Sequence, residues 1–123
     1  MRTCLIVDDS RMIRRVAARI LKDLRFQTEE AENGQAALKK CQARMPDAIL
    51  LDWNMPIMDG LTFLKALRQT PGGDKPVIVF CTAERDVERI IEALEAGADE
   101  YIMKPFDSDI VASKFFQSGL LAA

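Results

Sequence analysis

Apolar runs of strand length recur along this chain, with amphipathic segments between them. Residues 4–7, 48–51, 77–81 and 101–103 form such runs, and a weaker one lies at 27–31. Strand-length runs alternating with helical patterns predict βα units and a parallel sheet. Between residues 12 and 24, Ile13, Val16, Ala17, Ile20, Leu21 and Leu24 recur at the spacing of one helix face. Val87, Ile90, Ile91 and Leu94 repeat that spacing, with Asp86 placed as an N-cap and Gly97 as the residue past the C-terminus. Asn33-Gly34, Asp59-Gly60 and Pro71-Gly72-Gly73 mark connecting loops or helix starts. No stretch reads as an interdomain linker, a repeat or a low-complexity tract. The pattern predicts five strands and five helices in one α/β domain spanning residues 1–123, ending in a helix after Pro105.

Composition narrows the chemistry. At 123 residues the chain has the length of one ordinary domain. Its 49% hydrophobic and 29% charged residues suit a globular protein, and no apolar run approaches the roughly 18 residues needed to span a bilayer. The N-terminal apolar stretch ends at two aspartates and is too brief for a secretory signal, so it reads as a strand, and a cytoplasmic location is expected. Cys4, Cys41 and Cys81 are far apart, odd in number and without a C-x-x-C pair, which predicts buried reduced thiols. A net charge of −2, from 17 basic and 19 acidic residues, gives no general field for nucleic acid. There is no histidine at all. Chemistry must therefore run on carboxylates, lysine and hydroxyls, without a histidine base or a histidine-ligated zinc.

In open α/β sheets a ligand site lies beyond the carboxyl ends of the strands. Here the first predicted strand ends in Asp8-Asp9, the third in Asp52, the fourth in Thr82 and the fifth in Lys104. Taken singly, an acidic residue after a strand is as well read as a loop or helix-capping carboxylate. Four strands delivering phosphate- or metal-binding groups to one sheet edge carry more weight. Two carboxylates about 5 Å apart repel by roughly 3 kcal/mol at an effective dielectric near 20, so three need a compensating cation. Mg²⁺ suits an all-oxygen site that keeps room for waters and phosphate oxygens. With it, a carboxylate can attack phosphorus while Lys104 and Thr82 offset charge on the transferring oxygens. Asp52 is the better candidate nucleophile, because the adjacent Asp8 and Asp9 look arranged to hold metal.

At Val7-Asp8-Asp9-Ser10, the run from Leu51-Asp52-Trp53-Asn54-Met55-Pro56 to Asp59-Gly60, Thr82-Ala83-Glu84 and Lys104-Pro105-Phe106, the sequence resembles the receiver domains of two-component response regulators. The resemblance covers nearly the whole chain and is nearest to chemotaxis regulators of the CheY type. It implies a doubly wound (βα)5 flavodoxin-like fold with strand order 2-1-3-4-5 and no effector domain. It also implies Asp52 as phosphoacceptor, Mg²⁺ held by Asp8, Asp9, Asp52 and the Asn54 backbone carbonyl, Lys104 on the phosphoryl group, and a cis Lys104-Pro105 bond. The donor would be a histidine kinase or phosphotransfer protein. Thr82 and Tyr101 would form the switch, with a downstream target on the face of the fourth helix, fifth strand and fifth helix. Asn54 and Glu84 match positions that tune dephosphorylation. Direct nucleic-acid binding and membrane insertion are not expected, and the protein would be a monomer or a weak phosphorylation-dependent dimer.

Several residues carry two readings. Trp53 is expected at the rim of the site, or as surface packing. Arg11, Arg14, Arg15 and Arg19 could guide a phosphorylated donor, or be a solvated helix face. Ser10 and the short stretch 107–123 depart from the nearest pattern. A phosphohydrolase using an aspartyl phosphate would be expected to carry a second aspartate where Asn54 stands, and a nucleotide-binding domain would need a glycine-rich loop where Asp8-Asp9 stand. A constitutive interaction module, or a fragment of a longer regulator, keeps the fold without fixing the chemistry.

Overall fold

A computed structural model describes residues 2–82 and 87–120. Strands and helices alternate throughout: β1 (Thr3–Val7), α1 (Arg11–Asp23), β2 (Gln27–Ala31), α2 (Gly34–Ala43), β3 (Ala48–Asp52), α3 (Gly60–Arg68), β4 (Val77–Thr82), α4 (Val87–Glu95), β5 (Glu100–Met103) and α5 (Ser108–Gln117). All strand pairs are parallel, in the order β2-β1-β3-β4-β5. The five predicted strands are present, four of them one residue longer than the apolar runs suggested.

Alternation along the strands divides the interior into two cores. Cys4 and Ile6 of β1, Ala48 and Leu50 of β3, and Val79 and Cys81 of β4 join Ala17, Leu21, Val111 and Phe115 on the face covered by α1 and α5. Leu5 and Val7, Ile49 and Leu51, and Ile78 and Phe80 join Cys41, Phe63, Leu64, Leu67 and Ala93 on the face covered by α2, α3 and α4. Burial on both faces is why these strands read as unbroken apolar runs. β2, at the sheet edge, has mostly exposed residues and gave the weaker signal.

Local chemistry fixes the helix starts. Ser10, Asn33, Asp59 and Asp107 each accept, through the side chain, the backbone N–H three residues on, satisfying a donor that the helix leaves unpaired. Asp86, expected to cap α4, lies outside the described residues. Gly97, two residues past α4, has φ +116°. Arg68, 17% exposed in its side chain, donates to the carbonyls of Gly97, Gly73 and Pro76 and to the Asp99 carboxylate, tying the loops at one end of the sheet. The three cysteines are free and buried. Burial pushes the thiol pKa up to about 12 in Cys4 and about 11 in Cys41, which keeps both protonated.

In two helices the apolar stripe read from the sequence does not coincide with the buried side. In α1, Ala17, Ala18 and Leu21 are buried while Val16 is exposed. In α4, Ala93 is the buried residue, and Val87, Ile91 and Leu94 are 64%, 49% and 41% exposed. Periodicity locates an apolar stripe, but the side that meets the sheet is the one whose small residues allow close approach. The structure corrects Trp53: it is only 8% exposed and belongs to the core beneath α4, not to a surface rim. Strand alternation sends it to the face opposite Asp52.

One loop carries backbone strain. Ile57, between β3 and α3, has φ +70° and is 76% exposed. The Met58 N–H donates to the Pro56 carbonyl at 2.7 Å, closing a three-residue turn around it. A β-branched residue at positive φ is costly, and this one recovers little by burial. Ile57→Gly is expected to raise unfolding free energy by about 1 kcal/mol; urea melts that show a loss instead would mean that the exposed side chain contributes packing that outweighs the strain.

Candidate functional site

The carboxyl ends of β1 and β3 lie side by side, with Val7 opposite Leu51. The chain leaves β1 toward β2 on one side, whereas β3 opens the other half of the sheet, so a crevice is left where the winding reverses. Asp8, Asp9 and Asp52 meet there, each with a carboxylate oxygen within 4.8 Å of the others'. Asp8 and Asp52 are nearly covered, with 4% and 12% of their side chains exposed, and Asp9 is exposed.

Lys104, following β5, reaches across β4 into this group. Its Nζ donates to Asp8 Oδ2 at 2.7 Å and to Asp52 Oδ1 at 3.1 Å. Burial disfavours the ammonium, but hydrogen bonds and charge from Asp8 and Asp52 outweigh it and raise the Lys104 pKa. The Asp52 pKa is also raised, first by burial and then by the neighbouring Asp8 charge, with Lys104 opposing both. Lys104-Pro105 is cis, as the resemblance implied.

The turn after β1 is held by its own polar groups. Asp8 Oδ1 accepts the Ser10 N–H at 2.9 Å, and Ser10 then caps α1. Arg14 donates to the Asp8 carbonyl at 2.7 Å and pairs with Glu30 at 3.0 Å. Of the four arginines along α1, Arg14 thus fixes the acidic turn, while Arg11, Arg15 and Arg19 are exposed. Sequence reasoning missed this role, since nothing in the helical pattern separates Arg14 from its neighbours. Gly60 fixes the other wall. Its N–H donates to the Trp53 carbonyl at 2.9 Å, and a Cβ there would stand 2.1 Å from the Asp52 carbonyl oxygen. Any side chain at this position would push the end of β3 away.

Thr82 ends β4 and is half-buried. With Trp53, Phe80, Arg89, Ile90 and half-buried Tyr101 it lines a cavity of about 10 Å³, close to the minimum for one water. Trp53 packs on Phe80 at 5.3 Å between centroids, and the Arg89 guanidinium lies 4.9 Å from the Trp53 ring centroid. Lys114 Nζ is 5.4 Å from the Tyr101 centroid and pairs with Glu100 at 3.1 Å. Asn54 is exposed in the loop after β3. Glu84 lies outside the described residues. Of the site residues expected from sequence, then, the three aspartates and Lys104 are in one group, and Thr82 and Tyr101 share a separate cavity.

A family model for the response regulator receiver domain matches residues 4–115. The chain belongs to that family. The chemotaxis protein CheY of Pseudomonas aeruginosa is 38% identical over 111 residues, covering 89% of this chain and 90% of that protein. CheY-3 of Vibrio cholerae is 40% identical over the same length, covering 89% and 85%. The solved structure of Vibrio cholerae CheY4 superposes with a TM-score of 0.90 at 33% identity, covering 95% of this receiver domain and 98% of that chain. No described helix is long and apolar enough to cross a membrane.

The donor set fits a hard divalent cation such as Mg²⁺: three carboxylates converge, and no nitrogen or sulfur ligand is among them. Without such an ion the Asp52 charge carries the cost of burial, and then of repulsion from Asp8, which Lys104 offsets only in part. Asp52→Asn removes one buried charge with little change of shape. In metal-free buffer at pH 7 the variant is expected to be about 1–2 kcal/mol more stable than wild type in urea unfolding. Because the folded Asp52 pKa lies above the ordinary 3.8, ionisation lowers stability as pH rises above that value. The advantage of Asp52→Asn therefore opens with rising pH and closes in acid. A variant less stable than wild type at pH 7 would mean that the Lys104 ion pair outweighs the repulsion.

Proposed function

We propose that this receiver domain is a phosphorylation-dependent switch that accepts a phosphoryl group on Asp52. The observation that carries the reading is the convergence of Asp8, Asp9 and Asp52 with Lys104 touching two of them, from three different strands. An Asp52 carboxylate oxygen forms a bond to phosphorus as the P–N bond to a phosphohistidine breaks, the donor nitrogen keeping the electron pair. A histidine kinase or phosphotransfer protein supplies that phosphohistidine, since the chain has no histidine of its own. Asp8, Asp9, Asp52 and the Asn54 carbonyl would hold Mg²⁺, which neutralises charge on the transferring oxygens. Lys104 exchanges its contact with Asp52 for one with the phosphoryl group, and its raised pKa keeps it cationic.

Readout runs through Thr82 and Tyr101. The phosphoryl group adds about −1.5 to −2 charge and new acceptor oxygens. Drawing the Thr82 hydroxyl toward them alters the wall of the cavity it shares with Tyr101, and the ring moves inward beneath α4. The population shifts only as far as the phosphoryl group favours one state. The surface of α4, β5 and α5 then meets a downstream target, in chemotaxis or motility control within the cytoplasm. Asn54 and Glu84 set the lifetime. The protein turns over no external substrate, and any dimer that phosphorylation induces is weak.

Intact mass spectrometry after incubation with Mg²⁺ and a small-molecule phosphodonor is expected to show one phosphoryl adduct on wild type. Asp52→Ala and an EDTA control should show none. An adduct on Asp52→Ala would move the acceptor elsewhere, and no adduct on wild type would leave a constitutive interaction module. Mg²⁺ alone should raise wild-type stability in urea melts by about 2.7 kcal/mol at a hundred times its dissociation constant, with a much smaller gain for Asp52→Asn. Equal gains would place the ion outside the acidic group.

A further inference from the structure

Two exposed helix faces on opposite sides of the sheet match each other. On α4, the apolar row Val87, Ile91 and Leu94 runs beside the acidic row Glu88, Glu92 and Glu95, all six exposed. On α1, the basic row Arg11, Arg15 and Lys22, with Arg19 beside it, runs along the exposed apolar pair Met12 and Val16. Met12 is 74% and Val16 45% exposed, so this pair is as uncovered as the row on α4. Both rows repeat at the spacing that keeps side chains on one line of a helix.

The handedness of the pairing follows from the helix itself. On a right-handed helix seen from outside with its N-terminus down, each step along the sequence moves to the right. The basic row of α1 therefore lies left of its apolar pair, and the apolar row of α4 lies left of its acidic row. Laid face to face and parallel, two helices exchange left and right. Arginine then meets glutamate while Met12 and Val16 meet the apolar row; an antiparallel arrangement would set charge against apolar surface.

We infer that α1 of one copy of this chain packs on α4 of a second copy, parallel, with charge and apolar rows in register. Because α1 and α4 cover opposite faces of the sheet, each copy keeps its other face open. The contact is heterologous and extends head to tail. It rests on one helix from each copy, so it is weak and, being edged with exposed ion pairs, sensitive to salt.

Sedimentation velocity of the unphosphorylated 123-residue chain from about 10 µM to about 1 mM tests this. Wild type should rise in average mass with concentration at low salt, and fall back toward 13.8 kDa when salt is added. Arg15→Glu and Glu92→Arg alter exposed positions and should each remain monomeric with an unchanged circular dichroism spectrum. Mixing these two variants should restore association, because the intact α4 of one meets the intact α1 of the other. A wild type that stays monomeric throughout, single variants that associate as well as wild type, or a mixture no heavier than its components would each overturn the proposal.

Discussion

The structure is organised around an electrostatic problem, the placing of Asp8 and Asp52 almost out of solvent within reach of each other and of Asp9. Like charges so placed repel by a few kcal/mol even at a generous effective dielectric, a large share of a small domain's net stability. Lys104 is the protein's own answer, an ammonium in contact with two of the three carboxylates. The ordering of the strands serves this arrangement. β1 and β3 stand adjacent so that their ends converge, and β5 lies far enough along the sheet for a long side chain to reach back over β4. Arg14 and Ser10 on one side, and Gly60 on the other, keep the two strand ends where the charges must be.

The sheet joins this polar edge to an apolar interior of another kind. Asp52 and Trp53 are neighbours in sequence, yet strand alternation sends one toward the acidic group and the other into the core beneath α4. Thr82 ends β4 beside Asp52's strand, and it lines the cavity shared by Trp53, Arg89 and Tyr101. A change of charge at Asp52 is thus one peptide unit from the packing of α4. That closeness is the physical basis for the proposed readout. α4 itself holds the sheet through little buried surface, with Ala93 its one buried residue, which makes it the helix whose displacement disturbs the core least.

Much of the fold was legible because its determinants are local. The doubly buried strands wrote themselves as apolar runs, α1 and α4 as 3.6-residue stripes, and Asn33-Gly34 and Asp59-Gly60 as loops or helix starts. The family's motifs carried the strand order and the cis bond at Lys104-Pro105. The expected exposure of Trp53 failed, since a residue at a strand end reads as surface until the helix packed over it is known. The exposure of Val16, Val87, Ile91 and Leu94 was not legible for a related reason: periodicity records that a helix has an apolar side and is silent on which neighbour covers it.

The sequence by itself determined the element order, the polar residues at the ends of four of the five strands and the type of chemistry those residues permit, because each depends on spacing and side-chain identity alone. Only the tertiary structure decided that Lys104 contacts Asp8 and Asp52 across 96 and 52 residues of chain, that Arg14 holds the acidic turn, and that α4 turns its apolar row outward. Those facts depend on the relative placement of elements distant in sequence, which packing fixes and local pattern does not encode.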